Sequence, residues 1–427
     1  MTYRTLPVLA LALLAATSLH AVAPRNVPVA YPPSAVDAVP TVWGTSNSIQ
    51  ISGGYGSAIV ADLKDPTMFW IMTDRGPNTT TDVANRLLFP MPNFTPTIAK
   101  FQLVGDQLRR VATIPMLNAA GRPLSGRPNP AGQGATGETG VDPSGLVITA
   151  DPDGIDSEGL ALANDGTFWV SDEYGPHIVH LDAKGKTIER INPFGTGTGG
   201  RKIPLVFALR RPNRGMEGLA ITPDNTTLVG AMQSPLDNPT TTIGRASNVN
   251  RLLSLNIATG VTRQFVYEVD APGNYISEIQ ALTATTFMVI ERDANFPGGS
   301  PAATTKRIYK IDIGKATDVS DPANSANGKM FGGKVLEALT AAERVSNGIT
   351  PATKSLVYDL LTLPGGYPHD KLEGVTLIGK DLLVVSNDDD FGITDGGAGT
   401  FIEKMLPATR QRDRLTVYFI RLATPLR

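Results

Sequence analysis

The 427-residue sequence contains no cysteine, which excludes disulfide bonds, thiol catalysis and anchoring through a lipidated cysteine. Only four histidines are present, and none stands in a His-Glu-x-x-His or other zinc-type spacing. A Gly-x-Ser-x-Gly nucleophile elbow is also missing, so the sequence gives no support for a serine hydrolase of the α/β type.

Charge is scarce as well. Charged residues make up 18% of the chain and the formal net charge is −2, so no basic field is available to bind nucleic acid or an anionic membrane. An anionic substrate would have to be held by local cations or by a metal ion. The 43 glycines and 33 prolines are typical of an all-β protein with many turns.

The N-terminal segment lacks an apolar run long enough to span a bilayer, which takes about 20 residues. It has one basic residue, Arg4, an apolar core at 8–16 and small residues towards Ala21. This pattern predicts a signal peptide at residues 1–21, followed by a proline-rich leader at 22–42. An exported protein without cysteine fits a bacterial periplasm or culture medium, with no membrane span after signal removal.

A hairpin with acidic ends stands near the middle of the chain. From Asp156 to Glu173 the sequence reads DSEGLALANDGTFWVSDE. Asn-Asp-Gly between two short apolar runs predicts a tight turn, because these residues tolerate positive φ. Antiparallel pairing of the two runs would bring both acidic ends together.

The same pattern recurs along the chain. It returns at 216–235, 277–293 and 372–390, and more weakly at 57–77. The distance from Glu158 to Glu217 is 59 residues and that from Glu217 to Glu278 is 61. A hairpin repeated at this period predicts an all-β fold, a β-propeller over residues 43–427. Five inner hairpins and room for another predict six blades, with five or seven as the alternatives. Long loop insertions are also predicted, one of which, at 314–350, contains a helix.

The repeated glutamates would form a ring at one mouth of the propeller channel. Its predicted members are Glu158, Glu217, Glu278 and Glu373. Acids at the hairpin ends would join them, namely Asp74, Asp172, Glu173, Glu291, Asp293, Asp388 and Asp389. Crowded carboxylates raise one another's pKa unless a cation lies among them, and calcium takes six to eight oxygen ligands in flexible geometry. The alternative is that each glutamate caps its own blade by accepting backbone N–H bonds.

Several cations accompany these acids. Arg75 and Arg292 each stand beside an aspartate at the end of an inner strand, where arginine can hold a phosphate or carboxylate with two hydrogen bonds. Salt bridges between neighbouring blades are the alternative for both. Lys371 and His177 are further candidates for substrate binding, and Arg214 and Arg245 also lie near the predicted mouth.

The strings GIDSEGLALANDGTFWVSDEYGP, NRGMEGLAITPDN, ISEIQAL and KLEGVTL resemble the bacterial phytase-like family, often labelled "esterase-like activity of phytase". DSEGLA followed by SDE is similar, more distantly, to the calcium-dependent β-propeller phytases. The resemblance implies a propeller that binds calcium and hydrolyses phosphate esters. It implies calcium ligation by Glu158, Glu173 and Glu217.

These observations predict an exported, calcium-dependent phosphoesterase that acts as a monomer on a small anionic substrate. The expected catalytic residues are Asp172, Glu173 and Arg292. Substrate binding is assigned to Arg75, Arg292, His177 and Lys371. Metal ligation is assigned to Glu158, Glu173, Glu217, Glu278, Glu373, Asp74 and Asp388. The alternatives are a calcium-dependent lactonase or carboxylic esterase on the same scaffold, and a propeller that binds a ligand without turnover.

Overall fold

The computed structural model describes residues 29–30, 39–41, 49–51 and 53–427. The predicted signal peptide at 1–21 lies outside the described residues, and so does most of the predicted leader at 22–42. Five four-stranded antiparallel sheets dominate the described chain, and we number them blades 1 to 5 in chain order. The first strand of each blade is the innermost one.

The strand bounds follow the predicted hairpins. Blade 1 contains Tyr55–Ala61, Met68–Thr73, Thr97–Val104 and Gln107–Pro115. Blade 2 contains Ser157–Leu162, Phe168–Asp172, His177–Leu181 and Thr187–Ile191. Blade 3 contains Met216–Ile221, Thr227–Met232, Val249–Asn256 and Thr262–Glu268. Blade 4 contains Tyr275–Ala281, Thr286–Arg292, Lys306–Asp312 and Thr353–Asp359. Blade 5 contains Leu372–Ile378, Leu382–Asn387, Thr416–Arg421 and Val29–Ala30.

The blades follow one another in a cycle. Each first strand packs against the first strand of the next blade, and the first strand of blade 5 packs against that of blade 1. A cluster of buried apolar side chains fills each of the five interfaces. Val229 and Val289 share the cluster between blades 3 and 4, and Ile59 and Val384 share the one that joins blade 5 to blade 1. The architecture is therefore all-β and propeller-like.

The predicted number of six blades is not confirmed. Five such sheets occur among residues 53–427 together with Val29–Ala30, and each contains one of the five inner hairpins recognised in the sequence. The room left for a sixth blade is occupied by long loops. One of these, the insertion at 314–350, carries only short helices and an isolated bridge between Phe331 and Lys334.

The central hairpin shows how local sequence sets the strands. Ala163 N donates to Thr167 O across the turn, and Gly166 has a φ of +85°, which glycine adopts without a steric penalty. Leu160 then pairs with Val170, as the alternating apolar pattern predicted. Trp169 is buried in the cluster between blades 2 and 3.

A bulge interrupts each first strand near its start, where the pairing with the second strand shifts register. Bulges re-aim a side chain, and here a glutamate is unpaired in blades 3 and 5, and a glutamate together with the following glycine in blade 2. The glycine after that glutamate leaves room for the neighbouring blade. A Cβ added at Gly159 would lie 2.5 Å from Leu219 N, and one at Gly218 would lie 2.5 Å from Ile279 N.

Smaller elements complete the chain. Short strands occur at Val39–Thr41, Ile49–Ile51, Thr79–Thr80, Arg86–Leu88, Thr139–Val141, Ile393–Gly397 and Thr400–Glu403. The α-helices are Thr241–Ala246 and Ala341–Ser346, and 3₁₀ turns occupy Leu205–Leu209, Leu336–Ala338, Leu360–Thr362 and Asp390–Gly392. In the described chain, no helix has the length and apolar character needed to cross a membrane.

The helix expected in the insertion is split in two. Thr340 ends the 3₁₀ turn and caps the following helix, since its side chain accepts from Glu343 N while the Glu343 side chain accepts from Thr340 N. This reciprocal capping box satisfies two N–H groups that a continuous helix would not leave free.

Candidate metal centre at the mouth

A cavity of about 240 Å³ opens at the end of the blades where the first strands begin, and we call it the mouth cavity. Most of its lining is polar. It is lined by Asp74, Arg75, Gly76, Pro77, Asn78, Asp156, Glu158, Glu173, Asn213, Lys371, Asp390, Phe391, Ile393, Thr394 and Asp395. Residues from blades 1, 2 and 5 thus meet here although they are far apart in sequence.

Three buried carboxylates form the inner wall of the cavity. One oxygen each of Asp156, Glu158 and Glu173 lie within 4.8 Å of one another. Glu158 is only 8% exposed, and its carboxylate has no hydrogen-bond or ion-pair partner in the described chain. Asp156 Oδ2 is buried and accepts no hydrogen bond, although Arg75 Nε lies 3.5 Å away.

A second acidic group surrounds Lys371 on the blade 5 side. Oxygens of Asp74, Asp388 and Asp390 also lie within 4.8 Å of one another. Lys371 Nζ donates to Asp388 Oδ2 at 2.9 Å and to Asp390 Oδ1 at 2.6 Å. Asp390 and Phe391 both have positive φ, a costly conformation for residues with a side chain, and it places Asp390 at the cavity.

Burial and mutual repulsion raise the pKa values of Glu158, Glu173 and Asp74. Burial is the larger cause for Glu158, followed by the negative charge of Glu217 and then of Asp156. Burial also raises the pKa of Glu173, again with Glu217 as the next cause. The pKa of Asp74 is raised to about 8 by burial and by Asp156. Such a group is stable in its ionised form only when a positive charge lies among the oxygens.

Gln233 is a site residue that the sequence analysis did not select. Its Nε2 donates to Glu173 Oε1 and to Glu217 Oε2, both at 2.8 Å, so one amide holds carboxylates from two blades. Arg214 donates to Gln233 Oε1 at 2.7 Å and fixes the amide orientation. The sequence does contain a signal for Gln233. It stands at the end of an inner hairpin, at the position where the other repeated hairpins have acidic residues.

Two of the predicted cations line the cavity but are already neutralised. Arg75 donates to Glu138 Oε2 and Asn213 Oδ1 at 3.2 Å each, in addition to its contact with Asp156. Lys371 is enclosed by the aspartates described above. Their predicted role in binding an anionic substrate would therefore require breaking buried ion pairs.

Arg292, predicted to act in catalysis and substrate binding, is not among the residues that line the mouth cavity. It donates to Glu373 Oε1 in the next blade and, from Nε, to Ser277 Oγ at 2.6 Å. The salt bridge between blades, stated above as the alternative, is what the structure contains. Glu373, predicted as a metal ligand, is therefore a partner of Arg292 through Oε1, while its Oε2 is buried and accepts no hydrogen bond.

Glu278 is displaced by one residue from the predicted ring. Ser277 is the unpaired bulge residue in blade 4, whereas Glu217 is unpaired in blade 3. In blade 4, Ser277 therefore occupies the position that Glu217 has in blade 3, and Glu278 occupies the position of Gly218. Glu278 lines a separate cavity of about 410 Å³ at the opposite end of the first strands. It accepts from Ile279 N at 2.8 Å, so the alternative of a backbone cap describes this residue.

Asp172, predicted to be catalytic, and His177, predicted to bind substrate, are not among the residues that line the mouth cavity. The carboxylate of Asp172 is fully buried and accepts from Asp156 N at 2.8 Å and Tyr174 N at 3.1 Å. Its other oxygen lies 2.7 Å from His177 Nδ1. Burial and the nearby charge of Arg190 lower the pKa of His177 to about 4, so the ring is neutral at pH 7.

The other acids that were predicted to join the ring at the mouth form contacts elsewhere. Glu291 accepts from Tyr267 and Lys354, and Asp293 pairs with Lys306. Asp389 caps the short turn that begins at Asp390. Of the seven predicted metal ligands, Glu158, Glu173 and Asp74 line the mouth cavity. Asp388 belongs to the group around Lys371, and Glu217 is joined to Glu173 through Gln233.

The chain is similar to several known proteins. An uncharacterized secreted protein of Arthroderma benhamiae is 28% identical over 237 residues, which are 46% of this chain and 45% of that protein, so the match spans less than half of the relative. A solved structure from Lactobacillus plantarum has 12% identity and a TM-score of 0.35, covering 87% of this chain and 89% of that one. The periplasmic gluconolactonase of Pseudomonas aeruginosa has 9% identity and a TM-score of 0.31, covering 94% and 97%.

A family model decides the relationship. The model described as phytase-like, "Esterase-like activity of phytase", matches residues 50–391, which is well over half of the sequence. The matched range contains the first two strands of every blade and the whole lining of the mouth cavity except Ile393, Thr394 and Asp395. The chain belongs to the phytase-like family.

Proposed function

We propose that this protein is an exported hydrolase that cleaves phosphate esters at the mouth cavity with the help of a bound calcium ion. The observation that carries the proposal is Glu158. The residue is more than nine-tenths buried, and its carboxylate has no partner in the described chain and faces Asp156 and Glu173, which are also buried. A carboxylate desolvated in this way requires either a proton or a cation.

The donor set fits calcium. Only carboxylate oxygens converge at Asp156, Glu158 and Glu173, without histidine, and hard cations such as calcium favour oxygen ligands. The Oδ2 atom of Asp156 is buried and accepts no hydrogen bond, although Arg75 Nε lies 3.5 Å away. A divalent ion held by these three residues would polarise a phosphoryl oxygen and lower the pKa of bound water.

The remaining residues organise the site. Gln233 orients Glu173 through its hydrogen bond, and Arg75 fixes Asp156. Asp74 lines the same cavity with Oδ1 held by Gly76 N at 2.8 Å. In the proposed reaction, its Oδ2 would accept a proton from the attacking water. Lys371 keeps Asp388 and Asp390 neutralised, which limits the negative charge that an approaching phosphate meets.

Export is supported by the N-terminal sequence and by the description of the Arthroderma relative as secreted. The proposal is tested by measuring phosphate release from p-nitrophenyl phosphate and phytate, in calcium and after chelation. We expect calcium-dependent release that falls at least about 100-fold in Glu158→Gln, the scale of losing a group that stabilises transition-state charge. Absence of release in calcium would contradict the proposal, as would turnover of lactones alone or ligand binding without any turnover.

A further inference from the structure

An unassigned pocket of about 180 Å³ lies beside the mouth, and we call it the arginine pocket. It is lined by Arg211, Ser234, Pro235, Asp237, Gly244, Arg245, Ser247, Pro272, Gly273, Asn274 and Tyr275. Arg214 connects it to the metal centre, since it hydrogen-bonds Gln233 and its guanidinium lies 4.3 Å from the centre of the Tyr275 ring. The loop that carries Arg211 also carries Asn213, which lines the mouth cavity.

The arginines here differ from the cations of the mouth cavity because they form no ion pair with an acid of the described chain. No carboxylate of the described chain lies within ion-pair distance of Arg211, Arg214 or Arg245. Burial lowers the pKa of Arg211, and the positive charges of Arg214 and Arg245 lower it further, while Tyr275 and Asp237 act in the opposite direction. Asp237 is the single acid in the lining, so the pocket keeps a net positive charge.

Other donors in the pocket are also available. Ser234 and Ser247 are 5% and 7% exposed. The hydroxyl of Ser234 has only a 3.5 Å contact with Pro235 O, and that of Ser247 accepts from Val249 N, which leaves its own proton unused. Arginines and hydroxyls that converge on one cavity are the donors that bind oxyanions.

We infer that the arginine pocket binds an oxyanion, a phosphate or carboxylate group, through Arg211 and Arg245. The inference deepens the proposed function, because Arg75 and Lys371 are neutralised and cannot supply the attraction that an anionic substrate needs. A substrate with an anionic group at some distance from its reacting ester would then place that group in the arginine pocket and the ester at the mouth cavity. Arg214 would lie between the two.

The test measures binding rather than turnover, so that its outcome does not depend on hydrolysis. Inorganic phosphate and succinate are titrated separately into metal-free protein by calorimetry at low ionic strength. We expect binding of at least one anion, with a Kd that rises about tenfold or more in Arg211→Gln/Arg245→Gln, as expected from losing charge-assisted hydrogen bonds. The anion that binds identifies the group as phosphate or carboxylate.

Two control variants make the result specific. Arg263→Gln removes an arginine that is 66% exposed on the outer part of blade 3, and it should leave the Kd unchanged. Glu158→Gln alters the metal centre and should keep at least the wild-type affinity, which separates this pocket from the proposed reaction. No binding of either anion to the wild-type protein would overturn the inference. An equal loss of affinity in Arg263→Gln would do the same, because it would indicate general electrostatic attraction.

Discussion

Arg292 and Glu373 form a buried ion pair that joins blade 4 to blade 5, with side chains only 5% and 3% exposed. Removing one partner of such a pair leaves the other charge uncompensated in the interior, which costs about 3–5 kcal/mol. We therefore expect Arg292→Met to lower the free energy of unfolding by about 3 kcal/mol, as measured by urea denaturation. The Arg421→Met variant is the control, because its pair with Asp381 is 42% and 35% exposed and such pairs contribute at most about 1 kcal/mol. A variant at Arg292 that is as stable as this control would contradict the structural role.

The sequence predicted the hairpins well because their signals are local. Apolar alternation and the Asn-Asp-Gly turn define the strands around Leu160 and Val170, and the acids at their ends were expected to meet at one mouth. Glu158, Glu173 and Asp74 do line one cavity there. The strands of each hairpin depend on residues close together in the chain, which is why pattern and spacing were sufficient. The approach of Asp74 to Glu158 and Glu173 was expected because the hairpin repeats along the chain.

Other features could not be read from the sequence because they depend on contacts between blades. The bulge in blade 4 falls at Ser277, and this single-residue shift turns Glu278 towards the opposite cavity. A shift of one residue reverses which face a side chain occupies. Whether an arginine is neutralised is likewise decided by its tertiary neighbours, as Arg75 and Arg211 show. The number of blades required knowing that the long insertion forms no sheet of its own.

The glycine after each mouth glutamate should be needed for contact between blades. A Cβ at Gly218 would lie 2.5 Å from Ile279 N and 2.8 Å from Glu278 C, and neither backbone atom can move without displacing blade 4. We expect Gly218→Ala to lower the free energy of unfolding by at least about 3 kcal/mol, at the upper end of the range for overpacked interiors. Gly314→Ala serves as the control, since its Cβ would meet only the Asp312 and Thr285 side chains at 3.0 Å and beyond. Similar melting temperatures for the two variants would refute the packing argument.

Calcium should stabilise the folded protein through Glu158. A ligand that binds only the folded state at 100 times its Kd adds about 2.7 kcal/mol to the free energy of unfolding. We expect the melting temperature of metal-free protein to rise with calcium and to rise much less in Glu158→Gln, which removes one buried ligand. Glu403→Gln, an exposed position whose side chain is 52% accessible, should respond like the wild type. If calcium raises the melting temperature of Glu158→Gln as much as that of the wild type, the ion binds elsewhere.

Without a cation, stability should fall as the pH rises. Burial and neighbouring acids raise the pKa of Asp74 from 3.8, and that of Glu217 from 4.5, to about 8 in both cases. The folded protein therefore keeps protons that the unfolded chain has released, so the stabilisation from these groups is complete below about pH 4 and is lost as the pH approaches 8. Each group contributes a slope of up to about 1.4 kcal/mol per pH unit within this window.

The slope can be assigned to these residues by substitution. In chelated samples, the free energy of unfolding of Asp74→Asn and of Glu217→Gln should decline less steeply between pH 4.5 and 8 than that of the wild type, because an amide releases no proton. Glu403→Gln should keep the wild-type slope, since its side chain is exposed. Calcium favours the ionised carboxylates, so it should stabilise the protein more at pH 8 than at pH 5. Parallel pH profiles for all four proteins, with or without calcium, would mean that these acids do not face one another in the folded chain.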